Sequence, residues 1–489
     1  MLRSNRHRSH TISSTVEREL KLNVDSTFRL PPLTGTPLPR RMLTSTYYDT
    51  ASYDLALARI TLRDRVERGK QAWQLKIPLI QDRQEIELAD GQSGPPAALR
   101  DLLMLALGER ELIPVATLRV WRTGVRVRHG RVDLADVVLD NVSVLKEGRV
   151  IQQFRELEIE RLHGDEDSLR EVAHQLRLAG AADHDGRPKL FRALSLPPHA
   201  PDSPPPPDAP VVDHVKWALT QHVHWLVAHD PGTRLGTEPE SLHQMRVATR
   251  RLRAVLRAAQ QILVPDWAAS LQHELKWLSE LLGQARDLDV QIAHFTEESA
   301  GFDARERKPL KDFIASLQAR RKQLQPVLLS ELQSARYLEL IQRLRQAARE
   351  PAVVVSPLAL HDLATQEFDK LRTTRQRLED PPTTASLHRL RIKVKRARYT
   401  AELAESSVGK AATAFIKRAR ALQDLLGTYH DAVLAESRLR SFVNASTSVR
   451  AGFVAGRIVE RQHARRALVL EKLPKLLGRL LKQGKKTWD

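Results

Sequence analysis

Two periods of hydrophobicity divide the chain. Up to about residue 195, apolar and polar residues alternate with period two, which sets i, i+2 and i+4 on one face of a strand. The alternation predicts strands over 16–24, 43–49, 60–67, 72–78, 83–89, 115–128, 131–142 and 150–162, with short helices over 95–107 and 165–178. Eight strands joined mostly by short turns indicate an antiparallel barrel or strongly curved sheet. After about residue 210, Leu, Ala and Arg recur at three and four residues and strand signals vanish, as in a helical bundle. Between the two, residues 195–210 read SLPPHAPDSPPPPDAP. Proline fixes φ and lacks an N–H, so a semi-rigid extended spacer is expected there. The fold class is thus α+β with two domains: an N-terminal eight-stranded antiparallel β tunnel or barrel, and a C-terminal all-α bundle with an internal repeat. The expected boundaries are a disordered basic tail over 1–14, the tunnel over 15–195, the linker over 196–212, the bundle over 213–482 and a basic tail over 483–489.

The repeat is read directly. Residues 241–253 (SLHQMRVATRRLR) match 386–398 (SLHRLRIKVKRAR) at an offset of 145. Downstream, Leu278, Leu281, Leu282, Gly283 and Asp287 recur as Leu422, Leu425, Leu426, Gly427 and Asp431 at an offset of 144. Two related helical subdomains about a pseudo-twofold axis are expected.

Composition narrows the chemistry. Lys and Arg number 78 against 59 Asp and Glu, a net charge of +19, which points to a polyanionic partner: nucleic acid, an acidic membrane face or phosphate chains. Cysteine is absent, which excludes disulfides, thiolate metal sites and cysteine nucleophiles. The basic start has no apolar core after it and no apolar run approaches the length of a membrane span, so a cytoplasmic protein is expected. No G-x-x-x-x-G-K loop occurs, so phosphates must be held by cationic side chains.

The strands carry charge where a barrel has its interior. In VERELKLNV, Glu17, Glu19 and Lys21 share one face and Leu20 and Leu22 the other; Glu156, Glu158 and Glu160 repeat this opposite Leu157 and Ile159. Arg63 and Arg65 are paired likewise, and Lys76 lies within an apolar strand. If the leucine faces pack against helices, the charged faces line a lumen. A dry lumen of mixed charge is unfavourable, whereas a wet one that admits a divalent cation with a polyanion is not. Clustered Glu oxygens suit Mg²⁺ or Mn²⁺, and Lys and Arg clamp phosphate oxygens.

This set of motifs — Glu17-x-Glu19-x-Lys21, Tyr47-Tyr48-Asp49-Thr50, Leu62-Arg63-x-Arg65, Trp73-x-Leu75-Lys76 and Glu156-x-Glu158-x-Glu160 — resembles the CYTH family, the triphosphate tunnel metalloenzymes, over about residues 15–195. The resemblance implies an eight-stranded tunnel that hydrolyses or cyclises triphosphate compounds with Mg²⁺ or Mn²⁺. It implies Glu17, Glu19, Glu156 and Glu158 as metal carboxylates, and Lys21, Arg63, Arg65 and Lys76 as triphosphate ligands, with Arg119 and Lys189 as further candidates. Glu160 is implied to hold metal or position water, so that Glu17, Glu19, Lys21 and Glu160 form the catalytic group. The segment Arg187-Pro188-Lys189 departs from the usual Ser-Lys pairing.

On the first repeat helix, His243, Arg246, Arg250, Arg253 and Arg257 fall within an arc of about 80°, opposite Met245, Ala248, Leu252, Val255 and Leu256. The second copy sets His388, Arg391, Lys395 and Arg398 on the same bearings, with Glu402 in place of Arg257. Stacked like charges without interspersed Glu cost stability, so an anion is expected on them. Single-stranded nucleic acid is disfavoured by the scarcity of aromatics near the stripes apart from Tyr399, and no helix-turn-helix or zinc-finger signature is present. The repeats resemble the CHAD family, conserved-histidine α-helical domains, over about residues 211–482. That resemblance implies a bundle with a basic central channel that binds inorganic polyphosphate. It also implies His243, Arg246, Arg250, Arg251, Arg253, His388, Arg391, Lys395, Arg396 and Arg398 as phosphate ligands. Asp287 and Asp431 read as residues that orient arginines or cap helices. The combined expectation is an inorganic triphosphatase joined to a polyphosphate-binding bundle and associated with phosphate-rich granules. A thiamine triphosphatase, an adenylate cyclase or a non-catalytic scaffold are the alternatives.

Overall fold

The computed structural model describes residues 12–78, 83–89, 94–108, 110–184, 186–196, 203–444 and 448–489, and for 12–17 the backbone alone. The chain separates into two compact units, residues 1–202 and 203–489. The N-terminal basic tail, up to residue 11, and linker residues 197–202 lie outside the described residues.

The first unit is built on strands β1 (Ile12–Glu17), β2 (Glu19–Asn23), β3 (Gly35–Asp49), β4 (Thr61–Glu67), β5 (Lys70–Pro78), β6 (Arg83–Leu88), β7 (Ile113–His129), β8 (Val132–Lys146), β9 (Arg149–Arg161) and the short β10 (Ala182–Asp183). The order in the sheet is β1-β6-β5-β4-β3-β7-β8-β9-β2-β10, and every pairing is antiparallel. β1 and β2 lie near opposite ends of that order yet are separated in sequence by Arg18 alone. The single strand expected over 16–24 therefore divides there, one part pairing with β6 and the other with β9, and the sheet closes into a barrel. Closure also removes the exposed edges that an open sheet of this length would present. Two of the hairpins turn on residue pairs with positive φ, Arg68-Gly69 and Glu147-Gly148, the geometry that matches strand twist in a two-residue loop.

α1 (Asp54–Leu57), α2 (Ala97–Leu102) and α3 (Met104–Leu107) are short, the last two replacing the single helix expected over 95–107. α4 (Glu166–Leu178) begins where the Asp165 side chain accepts the Ser168 amide hydrogen at 2.8 Å. Its Leu169, Val172, Ala173 and Leu176 pack against Leu22, Leu157 and Ile159 on the outside of the barrel. The leucine faces of β2 and β9 are thereby buried outward, which turns the alternate, charged residues inward. α5 (Lys189–Ala193) sends Leu190 and Phe191 into an apolar cluster with Leu43, Leu118, Val120, Val142 and Val144. The lumen thus ends on an apolar plug rather than being charged along its whole length.

The second unit consists of α6 (Val211–Leu235), α7 (Pro239–Ala258), α8 (Pro265–Ser299), α9 (Ala304–Leu332), α10 (Ala335–Arg349), α11 (Leu360–Gln376), α12 (Thr384–Leu403), the short α13 (Glu405–Val408), α14 (Lys410–Asn444) and α15 (Val449–Trp488). α6, α7 and α8 pack in succession, as do α11, α12 and α14, and the two series meet where α7 touches α12. The last residues correct the expectation of a basic tail over 483–489. α15 continues through Trp488, which is 3% exposed and stands edge-on to Phe415 at 5.6 Å. A Cβ on Gly484 would lie 2.0 Å from the Phe368 ring, so this glycine is what lets the ring pack there. No described helix is long and apolar enough to cross a membrane.

Candidate functional site

The antiparallel register of β2 with β9 sets Glu19 opposite Glu160 and Lys21 opposite Glu158. Lys21 Nζ donates to Glu156 Oε1 at 2.7 Å and Glu158 Oε1 at 2.5 Å. Lys189, delivered by the first turn of α5, reaches the same two oxygens at 3.1 and 2.7 Å and Asp140 at 3.0 Å. Arg122 of β7 makes a two-point bond to Asp140, each contact 2.8 Å, and donates to Glu158 and Glu160 at 2.7 Å. One wall of the lumen is therefore a lattice of alternating sign.

The electrostatics follow from that lattice. Burial alone would raise the Glu156 carboxyl, but Lys189 and Lys21 outweigh it and hold the pKa at about 2. Glu158 is likewise held well below the carboxylate range by the same two ammonium groups, against its own burial. Burial opposes the charge of Lys21 and of Lys189, yet Glu156 and Glu158 raise both above the ordinary lysine range.

The facing wall, from β3 to β6, is mostly cationic. Arg63 Nε donates to Gln74 at 2.9 Å and its Nη1 to the Tyr47 hydroxyl at 3.1 Å. Arg65 donates to Glu67 at 2.9 Å, Lys76 lies 3.4 Å from Glu85, and Arg83 lies 3.7 Å from Glu19. Together the walls enclose about 220 Å³, lined among the described residues by eight Lys and Arg side chains against five Asp and Glu.

The lumen gathers Glu19, Lys21, Arg63, Arg65, Lys76, Glu158, Glu160 and Lys189. Glu156 lies just beyond the lining, wholly buried under its two lysines. The backbone of Glu17 pairs with Arg83; its side chain lies outside the described residues. Arg119 is a correction. Leu118, Val120 and Arg122 of β7 point inward, so the pleat turns Arg119 outward, where it is exposed. Arg122 stands in the lumen instead, and Arg41, Arg83, Glu85 and Asp140 join it. Asp140 had a legible signal: a lone carboxylate closing the run Val137-Val138-Leu139. Among the described residues no group of three acidic or histidine side chains stands ready to hold an ion, because ammonium and guanidinium groups lie between the carboxylates.

In the bundle, α7 and α12 bring the two basic stripes together. Lys395 is held down at about 7, first by burial and then by Arg391, Arg250, Arg398 and Arg246. Arg246 and Arg391 are lowered mainly by burial, and His243 by burial and the nearby Arg286. Arg246 Nη1 donates to the Ser279 carbonyl at 3.1 Å, and Asp287 lies 3.9 Å from its other nitrogen. A Cβ on Gly283 would stand 3.0 Å from that guanidinium, so the Leu-Leu-Gly turn of sequence is the gap into which Arg246 fits. In the second copy His388 lies with its ring 5.7 Å from that of His430. Arg250, Arg253, Lys395 and Arg396 line one groove. Two of the expected phosphate ligands, Arg251 beside the stripe and Arg398 on it, are engaged within the chain. Arg251 is bonded to Glu402, which also lies 3.5 Å from Arg398, and Arg398 is only 5% exposed with its guanidinium over Tyr399.

A closed tunnel of mixed charge followed by a duplicated basic helical bundle defines the class, and comparison with known proteins assigns both halves. The CYTH domain family matches residues 15–187 and the CHAD domain family residues 218–440. The chain is a CYTH domain followed by a CHAD domain. CYTH tunnels bind triphosphates and their enzymes are metal-dependent. An uncharacterized protein of Mycobacterium tuberculosis (strain H37Rv) is 28% identical over 487 residues, covering 92% of each chain. The crystal structure of the CHAD domain from Ricinus communis is 26% identical, with a TM-score of 0.47, and covers 57% of this chain and 97% of its own. An adenylyl cyclase homologue from Hippeastrum, described as having a dominant triphosphatase activity, is 19% identical with a TM-score of 0.25, and covers 37% of this chain and 95% of its own.

Proposed function

We propose that the tunnel hydrolyses inorganic tripolyphosphate to diphosphate and phosphate in a metal-dependent reaction, and that the bundle binds long-chain polyphosphate. The observation that carries the first part is the lining. Among the described lining residues cations outnumber carboxylates, and the one aromatic, Tyr47, is engaged by Arg63. A bare phosphate chain needs only charge and positioning, whereas a nucleobase or thiazole ring needs a free stacking platform.

The cationic wall of Arg63, Arg65, Lys76 and Arg83 binds the phosphate oxygens, and Arg122 reaches them from across the lumen. Glu19 and Glu160 are opposite each other in the β2–β9 register and both line the lumen, Glu19 beside Lys21 and Arg83 and Glu160 beside Arg122. They fit a hard divalent ion with oxygen ligands, with Glu17, two residues before Glu19 along the chain, as a third donor. Bound there, Mg²⁺ or Mn²⁺ supplies neutralisation of the phosphoryl charge and a more acidic water. Glu156 and Glu158, already engaged by ammonium groups, hold Lys21 and Lys189 in place. Glu160, with its side chain 38% exposed, is the carboxylate that orients the attacking water. Phosphoryl transfer asks little else of a protein than such alignment and charge.

Phosphate release from tripolyphosphate, ATP and thiamine triphosphate, with Mg²⁺, Mn²⁺ or chelator, tests this. Tripolyphosphate is expected to be turned over fastest, with no turnover in chelator and none by Glu19→Ala. Faster release from either organic triphosphate would replace this reading by one of the rival enzymes.

In the bundle, the support is the crowding of His243, Arg246, Arg250, Arg253, Arg391 and Lys395. Burial and mutual repulsion lower several of these groups, and a polyanion relieves both. The single readout is retention of long polyphosphate by the full chain in a filter or mobility assay.

A further inference from the structure

The second repeat carries a cationic surface that the first does not. On α12, Arg389, Lys393 and Arg396 lie roughly 80–140° around the helix from His388, off the stripe already described. Their counterparts on α7 are Gln244, Ala248 and Arg251: one neutral, one buried, one bonded to Glu402. The symmetry of the repeat is broken here in favour of the second copy, whereas on the stripes the one reversal, Arg257 to Glu402, goes the other way.

These residues line a groove of about 440 Å³ that also contains Arg377, from the end of α11. A second groove, of about 730 Å³, holds Arg250, Arg253, Arg257 and Lys395 of the facing stripes. Ile392 and Arg396 line both, so the cationic surface passes around α12 without a break. The carboxylates along it are few: Glu367, bonded to Lys370 at 2.6 Å, and Glu379, 3.8 Å from Arg389. At the junction the Arg396 Nε–H is buried and has no acceptor within the chain. Tyr399, which lines the larger groove, has the Arg251 and Arg398 guanidinium groups 5.6 and 4.5 Å from its ring centroid. The path therefore offers dense charge, and the one aromatic among its described lining residues is already engaged by arginines.

We propose that the groove of Arg377, Arg389, Lys393 and Arg396 is a second subsite for a linear inorganic polyanion, through which a long polyphosphate chain leaves the α7–α12 stripe around the second repeat only. This rests on the reading that the bundle binds polyphosphate and adds its route and its dependence on chain length. A chain long enough to occupy both grooves gains the second contact intramolecularly, whereas a short one fills the stripe alone.

The test uses the full chain and its Arg377→Gln/Arg389→Gln/Lys393→Gln variant, titrated in chelator with polyphosphates of about 4 and about 100 units, the first covering one groove at a time. Long-chain affinity is expected to fall about tenfold, with short-chain affinity within about twofold of the wild type. The salt dependence for the long chain is expected to lose about 2 from its logarithmic slope, for three phosphate contacts removed. Retained short-chain binding shows that the variant is folded. Equal loss for both lengths, or no loss for the long one, overturns the subsite. Tighter binding of a single-stranded oligonucleotide, lost in the variant, overturns the inorganic occupant. Failure of the wild type to bind either polyphosphate overturns the parent reading instead.

Discussion

The tunnel and the bundle meet phosphate by opposite electrostatic means. In the tunnel, Lys21 and Lys189 lie against Glu156 and Glu158, and every one of the four is shifted toward its charged form. In the bundle, Lys395 lies among arginines and is shifted toward its neutral form, as are Arg246, Arg391 and Arg257. The first is a self-compensated lattice whose geometry is fixed before substrate arrives, which suits catalysis. The second is a strained array of like charges completed by its ligand, which suits retention. One substitution type, lysine to methionine, therefore has opposite consequences in the two halves.

Lys21→Met gives the largest effect. It leaves Glu156 and Glu158, both almost fully buried, with one ammonium fewer, and is expected to cost about 3 kcal/mol of tunnel stability. Turnover should fall at least about a hundredfold. Chemical denaturation and phosphate release read the two losses. A variant as stable as the wild type would show that the lattice is not what fixes the lumen.

Lys395→Met is expected to stabilise the free bundle by about 1 kcal/mol, since it removes a cation from among four arginines. Long polyphosphate should bind about tenfold more weakly, a change seen by titration beside the thermal melt. Destabilisation would show that Lys395 packs rather than repels.

A smaller effect comes from pH. The Lys395 pKa is depressed in the folded state, to about 7 from 10.5. Between those values the unfolded chain binds the extra proton, so bundle stability rises with pH across that window and the full repulsion is present below it. A polyanion reverses the shift. Binding is expected to take up a proton above pH 7 and to weaken a few-fold as pH rises from 6 to 8.5. Lys395→Arg should flatten the profile. The tunnel should behave differently: the contribution of Glu156, depressed to about 2 from 4.5, is present above pH 4.5 and lost only as pH falls toward 2.

What was legible follows from periodicity. Glu19, Lys21, Glu158 and Glu160 could be placed on an inner face because the leucines between them demanded an outer one, and α4 supplies it. The stripes of α7 and α12 were legible because the apolar arc of Met245, Ala248, Leu252 and Leu256 is buried as the helical period requires. Long-range partners were not. Nothing local to Arg251 announces Glu402, 151 residues away, and nothing near Glu156 distinguishes it from Glu158, although Lys189 and Lys21 close over it. The division of one strand at Arg18 also depends on closure of the whole sheet rather than on neighbouring residues.

The smallest expected effect concerns parity within a strand. Arg119 and Arg122 are both arginines of β7, three positions apart, and an odd spacing sends them to opposite faces. Arg119 pairs in register with Thr44 and Ser143, whereas Arg122 pairs with Arg41 and Asp140, which line the lumen. Arg119→Ala should therefore leave tripolyphosphate turnover within about twofold and stability within about 0.5 kcal/mol, the usual range for a surface change. Arg122→Ala removes the bond to buried Asp140 and contacts with two Glu side chains, and should approach the loss expected for Lys21→Met. A hundredfold loss at Arg119 with little at Arg122 would mean that β7 is displaced by one residue, which would turn every side chain of that wall to the other face.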